Sequence, residues 1–172
     1  MLIQLTHCSI RDWRATDLDR LVRLGDNRKI WRNLRDRFPS PYTKAAGEAW
    51  IAKNQSEEPH TSFVIAVDDE LVGSLGIIPG TDIYARSAEI GYWLGEEYWG
   101  RGLAAEALAG FAPWCFAHFN LIRLWAAVFV GNPGSARVLE KAGFVREAHL
   151  RHAAFKEGMP QDEWLYARVA EP

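Results

Sequence analysis

Apolar and polar residues alternate along several short stretches of the chain, and this spacing predicts β-strands. The first such stretch covers residues 2–13. Two more, Ser62–Val67 and residues 71–78, flank an acidic turn at Asp68 and Asp69. A fourth strand is expected at Ser87–Leu94. Because short connections join the last three strands, they predict an antiparallel meander.

Helical spacing of apolar residues predicts the intervening helices. Thr16 and Thr43 can each cap the helix that follows, and a short helix is expected at residues 28–34. A longer helix is predicted over residues 102–119. We expect a kink or a break at Pro113, since proline removes a backbone donor and crowds the preceding turn.

The last third of the chain predicts a parallel strand pair, a helix and two closing strands. Residues 123–130 are almost continuously apolar, which is typical of a strand buried on both faces. This strand follows a strand and a helix, so it is expected to run parallel to the strand before it. Asn132 and Gly143 can begin and end the next helix. The final strands are expected at residues 145–151 and 163–169.

These elements predict a single domain over residues 1–172, of the α/β (α+β) class. Its central sheet is expected to be mixed, mostly antiparallel, with about six to seven strands and flanking helices. A chain of 172 residues with 48% hydrophobic content can bury a sizeable core.

Charge and composition exclude several classes of protein. A net charge of -2 argues against a nucleic-acid partner, which would require a basic excess. No apolar run approaches the roughly 18 residues of a membrane helix. The first residues show no signal pattern, so a cytoplasmic protein without a membrane partner is expected.

The cysteines and histidines show no pattern of a metal site. Cys8 and Cys115 are too few for a disulfide framework, and both lie in apolar stretches that predict core positions. The five histidines lack metal-binding spacing, so no metal is expected.

A glycine-rich bend separates the fourth strand from the long helix. Gly100 and Gly102 permit torsions and close approaches that would let several backbone amides converge on a phosphate at a helix N-terminus. Leu103 follows where a Walker loop requires Lys, and Ala105 replaces the third glycine of a dinucleotide fingerprint. A tight connection without a ligand is the alternative interpretation.

The bend resembles motif A of the GNAT superfamily of acyl-CoA-dependent N-acyltransferases. Trp99 stands where that motif usually has Gln or Arg, while Gly102 and Ala104 match its small residues. The segment that begins at Asn132 and ends at Phe144 resembles the second GNAT signature. The Trp-Gly-Arg-Gly-Leu-Ala-x-Glu-Ala version of motif A in residues 99–107 is similar to the Rim-type branch, which includes ribosomal-protein N-terminal acetyltransferases.

The resemblance implies a GNAT fold, with the sheet splayed at strands 4 and 5, and acetyl-CoA (coenzyme A) as cosubstrate. The backbone of Tyr92, Trp93 and Leu94 would bind the pantetheine arm, and the Leu94 N–H would polarise the thioester oxygen. Two further groups would bind the cofactor. They are the bend with the first helical turn (Trp99, Gly100, Arg101, Gly102, Leu103, Ala104, Ala105) and the second signature (Asn132, Ser135, Arg137, Lys141). For Arg137 and Lys141, a solvated helix face is the alternative.

The resemblance also suggests catalytic residues. Many GNAT enzymes have a Tyr acid where this chain has Leu139, and Ser135 matches the Ser of the Rim-type branch. Ala127 occupies the position of a mid-strand Glu found in some members. Glu89 is therefore the preferred general base. Its alternative is a surface carboxylate paired with Arg86 or Arg101.

The region after the first strand resembles an acceptor-covering flap. Its candidate substrate-binding residues are Trp31, Arg35, Phe38 and Tyr42, for which a solvated face with core anchors is the alternative. Acidic turn residues could attract a cationic acceptor, or could simply be solvated. They are Asp68, Asp69, Glu96 and Glu97.

The resulting hypothesis is an N-acetyltransferase that moves an acetyl group to a primary amine by direct attack in a ternary complex. The acceptor could be a protein N-terminus or a small-molecule amine. The alternative is a non-catalytic acyl-CoA-binding sensor or regulatory module. A homodimer is possible, because eight Trp residues leave room for an exposed aromatic patch.

Overall fold

The computed structural model describes residues 2–170, in which eight strands and five α-helices are found. The strands are β1 (Leu2–Gln4), β2 (Ser9–Arg11), β3 (Ser62–Val67), β4 (Glu70–Pro79), β5 (Ser87–Leu94), β6 (Arg123–Phe129), β7 (Val145–Lys156) and β8 (Met159–Val169). The helices are α1 (Leu18–Gly25), α2 (Arg28–Trp31), α3 (Lys44–Ser56), α4 (Leu103–His118) and α5 (Pro133–Lys141).

The strands form one sheet in the order β1-β2-β3-β4-β5-β6-β8-β7. The β5–β6 pair is parallel, as predicted, and its ladder joins Ser87, Ala88 and Glu89 to the first three residues of β6. The β1–β2, β2–β3, β3–β4, β6–β8 and β7–β8 pairs are antiparallel. The prediction of a mixed, mostly antiparallel sheet is therefore confirmed. The strand total exceeds the prediction because residues 2–13 form a hairpin of two strands.

Residue contacts divide the chain into two compact units. The first consists of Met1–Gly76 and Tyr92–Ala107, and the second of Ile77–Gly91 and Leu108–Pro172. The chain passes from one unit to the other within β4, β5 and α4. The prediction of a single domain stays a prediction.

The first unit packs its helices on β3 and β4 through a buried cluster. This cluster consists of Trp13, Leu21, Leu24, Tyr42, Ile51, Val64, Ala66 and Leu71. Thr43 caps α3, as predicted, because its hydroxyl accepts the Ala46 N–H at 3.2 Å. The predicted Thr16 cap is wrong, since Thr16 lies inside a 3₁₀ turn that precedes α1.

The second unit corrects two local predictions. Strand β6 alternates between buried and half-buried residues, so it is not buried on both faces as its apolar run suggested. Helix α4 continues through Pro113, so a break at this residue is ruled out, and the predicted kink stays a prediction. Because Pro113 has no N–H, the carbonyl of Ala109 lacks the helical donor that another residue would supply there. Ala109 is exposed, so solvent can hydrate this carbonyl.

The boundaries of α5 follow its predicted caps. Asn132 accepts the Ser135 N–H at 3.2 Å through its side chain, and Gly143 has a φ of 83° just beyond the helix. The two closing strands, β7 and β8, are longer than predicted. Register shifts occur in their ladder between Arg146 and Ala148 and between Leu150 and Ala154.

A buried ion pair fixes the entry to α1. Arg11 donates to both carboxylate oxygens of Asp17, at 2.9 and 2.7 Å, and the two side chains are only 4% and 5% exposed. Asp17 also accepts the Arg14 N–H at 2.8 Å. Removal of one member of such a pair leaves a buried charge without compensation, which costs more than the pair contributes.

We expect Asp17→Asn to lower the free energy of unfolding by about 3 kcal/mol, because Arg11 stays buried while its main counter-charge is lost. Urea denaturation measures this change. Asp19→Asn makes the same substitution at an exposed site in α1, and should cost no more than about 0.5 kcal/mol. Equal losses in the two variants would contradict the assigned role of the ion pair.

Candidate active site

The glycine bend reverses the chain between the end of β5 and the start of α4. A 3₁₀ turn, Glu96–Tyr98, precedes the bend, and Gly100 and Gly102 have φ values of 76° and 81°. A Cβ at either glycine would meet no atom within 4 Å. These positions therefore require glycine for the backbone torsion and not for lack of space.

The first turn of α4 provides a site that fits an anion. The first helical hydrogen bond here runs from the Glu106 N–H to the Gly102 carbonyl at 3.0 Å. The amides of Leu103, Ala104 and Ala105 precede it, and first-turn amides of a helix have no acceptor one turn back. Their side chains are buried, which anchors the helix end. The donor set and the left-handed glycines suit a pyrophosphate group.

Trp99 performs a role that the sequence motif did not indicate. Its indole nitrogen donates to the Leu94 carbonyl at 2.9 Å, while the residue as a whole remains 44% exposed. The residue that replaces the usual Gln or Arg therefore ties the last residue of β5 to the bend. Arg101 donates to the Glu97 carbonyl at 2.8 Å, and its guanidinium lies 5.4 Å from the Tyr98 ring centre.

Cations of the N-terminal helices neutralise the acidic turn before the bend. Glu96 binds the Lys29 ammonium and accepts from the Asn27 amide at 2.8 Å. Glu97 accepts two hydrogen bonds from Arg23, at 3.0 and 3.2 Å. The hydrogen bond from Lys29 lowers the pKa of Glu96, and the hydrogen bond from Arg23 lowers that of Glu97. Both carboxylates are thus ionised and already have cationic partners in the chain.

The predicted acceptor residues divide into two groups. Phe38 contacts two rings, Tyr42 at 5.0 Å and Trp93 of β5 at 5.6 Å between ring centres. Tyr42 is buried in the core, which raises the pKa of its phenol to about 12. Trp31 is half-buried on α2, and Arg35 is exposed in the loop that follows. The structure therefore joins Phe38 and Tyr42 to the proposed pantetheine-binding strand.

The candidate residues of the second unit lie on β5 and α5. Glu89 is half-buried in the β5–β6 ladder. Ser135 lies in the first turn of α5, next to the Asn132 cap, and Arg137 and Lys141 are exposed on the same helix. Leu139 is fully buried, so the position that carries Tyr in many GNAT enzymes faces the core here.

Other polar contacts could not be inferred from local patterns. Glu106, in the first turn of α4, accepts from the backbone and ring of His7 at 2.9 and 3.0 Å. Burial acts to raise the pKa of Glu106, but these hydrogen bonds outweigh it and lower that pKa. In the β7–β8 hairpin, His149 and Asp162 are 2.8 Å apart and line an open cavity of about 600 Å³.

Both cysteines lie in the core, as predicted. Burial raises the pKa of Cys8 to about 12 and raises that of Cys115 as well. Among residues 2–170, no group of His, Cys, Asp and Glu side chains could hold a metal ion. Over the same residues, no helix is both long and apolar enough to cross a membrane.

We expect Gly100→Ala to lower the free energy of unfolding by about 1 kcal/mol, because a Cβ at positive φ is strained. Thermal or urea unfolding measures the change. Gly131→Ala is the matched control, since its site is equally open and its φ is not positive. The control should be neutral or slightly stabilising. A neutral Gly100→Ala variant would show that the bend tolerates other torsions.

Comparison with known proteins matches the region that contains the glycine bend and α5. The sequence model of the acetyltransferase (GNAT) domain matches residues 8–145. The chain is 33% identical over 109 residues to the ribosomal-protein-serine acetyltransferase of Escherichia coli, a match that covers 63% of this chain and 60% of that protein. Five curated relatives, including this one, are matched over only 54% to 62% of their own length.

Two solved structures share the fold over nearly the full chain. Mycobacterium smegmatis RimJ in complex with CoA-disulfide has a TM-score of 0.85 and 28% identity, covering 98% of this chain and 87% of that one. Spermidine N-acetyltransferase from Vibrio cholerae, in complex with CoA and spermine, has a TM-score of 0.78 and 26% identity, covering 95% of both chains.

The family match, the mixed sheet and the glycine bend at the start of α4 agree with one another. On this evidence, the chain belongs to the GNAT acetyltransferase family.

Proposed function

We propose that the chain is an acetyl-CoA-dependent N-acetyltransferase that moves an acetyl group to a primary amine. The observation that carries this proposal is the left-handed bend at Gly100 and Gly102, which lies between the 3₁₀ turn after β5 and the start of α4. It lies inside the region matched to the GNAT domain. The fold alone would be a weaker argument, because one fold can host unrelated functions.

Acetyl-CoA supplies an activated thioester carbonyl and a thiolate leaving group. The amides of residues 100–105 would bind the pyrophosphate, with Trp99 and Arg101 beside them. The backbone of residues 92–94 would bind the pantetheine arm. In the second unit, Asn132, Arg137 and Lys141 would contact the cofactor.

Leu94 is the proposed oxyanion donor, through its backbone N–H. The indole of Trp99 holds the Leu94 carbonyl at 2.9 Å, and the Gly95 N–H donates to the Val72 carbonyl at 2.9 Å. Both contacts restrain the backbone around Leu94 before any substrate binds. A preorganised donor of this kind stabilises the negative charge that develops on the carbonyl oxygen.

Proton transfer is assigned to Glu89 and Ser135. Glu89, directly or through a water, would remove a proton from the acceptor amine, and Ser135 would donate one to the departing sulfur. An ordinary thiol has a pKa near 8.5, so the thiolate leaves readily, and Ser135 should contribute modestly. Burial of the two cysteines supports direct attack in a ternary complex. Their raised pKa values disfavour the thiolate that would have to attack acetyl-CoA to form an acyl-enzyme.

A non-catalytic acyl-CoA-binding module is the second candidate. Ala127 and the buried Leu139 favour it, because they lie where some GNAT enzymes have a glutamate base and a tyrosine acid. This candidate predicts tight acetyl-CoA binding without turnover.

We expect acetyl-CoA to bind the wild-type protein in a calorimetric titration, and we expect Gly102→Trp to bind at least tenfold more weakly, since an indole at residue 102 would cover the proposed pyrophosphate site. Gly158→Trp is the matched control. Gly158 also has a positive φ, of 77°, and open space around it, but lies in the turn between β7 and β8.

A thiol-release assay with small amines and peptides of free N-terminus then separates the two candidates. Release of CoA that depends on the acceptor supports the enzyme, whereas binding without release supports the sensor. Failure of the wild-type protein to bind acetyl-CoA would contradict both.

A further inference from the structure

Residues on both sides of Asp26 contact the segment that directly follows β5. On one side, Leu24 packs on Gly95 so closely that a Cβ at Gly95 would lie 2.8 Å from the Leu24 side chain. On the other side, the Asn27 amide donates to Glu96 at 2.8 Å. All of these residues belong to the first unit. These two contacts place Asp26, just beyond α1, beside the end of β5.

Asp26 is also joined to the aromatic residues that were predicted to bind the acceptor. Its carboxylate accepts the Tyr42 N–H at 3.0 Å, and the Tyr42 ring lies 5.0 Å from that of Phe38. Phe38 packs in turn on Trp93 of β5, at 5.6 Å between ring centres. Phe38 and Trp93 are half-buried, and aromatic faces attract ammonium groups. A continuous series of contacts therefore connects Asp26 with Trp93, the neighbour of the proposed oxyanion donor Leu94.

Asp26 differs in its pairing from the two carboxylates of the turn before the glycine bend. Glu96 is bound by Lys29, and Glu97 by Arg23. Asp26 is exposed, and it forms no ion pair with any of the residues 2–170. Its backbone hydrogen bond uses only the oxygen Oδ1. The other oxygen of Asp26 can therefore accept a hydrogen bond from a cation that a ligand supplies.

We propose that Asp26 is an acceptor-binding residue, whose carboxylate holds the ammonium group of a primary amine beside Phe38 and Trp93. This inference rests on the proposed acetyltransferase function and assigns a residue that recognises its acceptor. Hydrogen bonds between an ammonium and a carboxylate are stronger than those between neutral groups. The bound ammonium loses a proton to the general base before its nitrogen attacks the thioester carbonyl.

Two substitutions at Asp26 separate its charge from its contact with the backbone. Asp26→Asn removes the charge but keeps an oxygen that can accept the Tyr42 N–H, whereas Asp26→Ala removes both. Asp19→Asn is the matched control, because it makes the same substitution at an exposed position of α1. Thermal unfolding verifies that each variant is folded.

Thiol release is measured at saturating acetyl-CoA with n-butylamine, spermidine and a tripeptide of free N-terminus. For each amine that the wild-type protein uses, Asp26→Asn should raise the KM at least about tenfold. The kcat and the calorimetric affinity for acetyl-CoA should change less than about twofold. Raising NaCl from about 0.05 M to about 0.5 M should raise the amine KM of the wild type and of Asp19→Asn, but have little effect on Asp26→Asn.

The outcomes separate this inference from the function on which it rests. A higher amine KM in Asp26→Asn, with its salt dependence lost and the control unchanged, supports Asp26 as the ammonium site. A wild-type KM in Asp26→Asn, a loss confined to Asp26→Ala, or the same loss in Asp19→Asn would overturn the inference while the acetyltransferase activity stands. A lack of turnover with every amine, despite acetyl-CoA binding, would overturn both.

Discussion

The left-handed backbone at Gly100 and Gly102 is the constraint on which the rest of the candidate site depends. It allows the chain to leave β5, complete a 3₁₀ turn and begin α4, whose first-turn amides have no helical acceptor. A site made from backbone donors requires few specific side chains. This explains how Trp99 can replace the Gln or Arg of the motif. Its indole contributes by holding the Leu94 carbonyl, so the substitution stabilises the end of β5.

Electrostatic pairing organises the first unit around this bend. Arg11 and Asp17 fix the entry to α1, and Arg23 and Lys29 neutralise the acidic turn that leads to Gly100. Unlike the buried Arg11–Asp17 pair, the exposed pairs of Arg23 and Lys29 contribute little stability individually. Their consequence is in how charge is distributed, because they neutralise the carboxylates of the turn that leads to the glycine bend.

Sequence patterns correctly predicted the strands and helix ends that depend on interactions between residues close together in the chain. The strands Ser62–Val67 and Ser87–Leu94 followed from apolar periodicity, and the Asn132 cap and the Gly143 stop followed from backbone preferences. The hairpin in residues 2–13 was missed, since partial alternation does not reveal a turn. The extended β7 and β8 were missed because bulges interrupt their period. The resemblance supplied the candidate site residues, but contacts such as Lys29 with Glu96 and His7 with Glu106 join distant parts of the chain. No local pattern encodes them.

Amide hydrogen exchange with and without CoA tests the central claim most directly, because the proposed CoA-binding site consists mainly of backbone N–H groups. On addition of saturating CoA, the account predicts slower exchange concentrated in residues 92–94 and 100–105, with α3 little changed. Binding of CoA that leaves exchange in these two segments unchanged, and protects another part of the chain, would contradict the account.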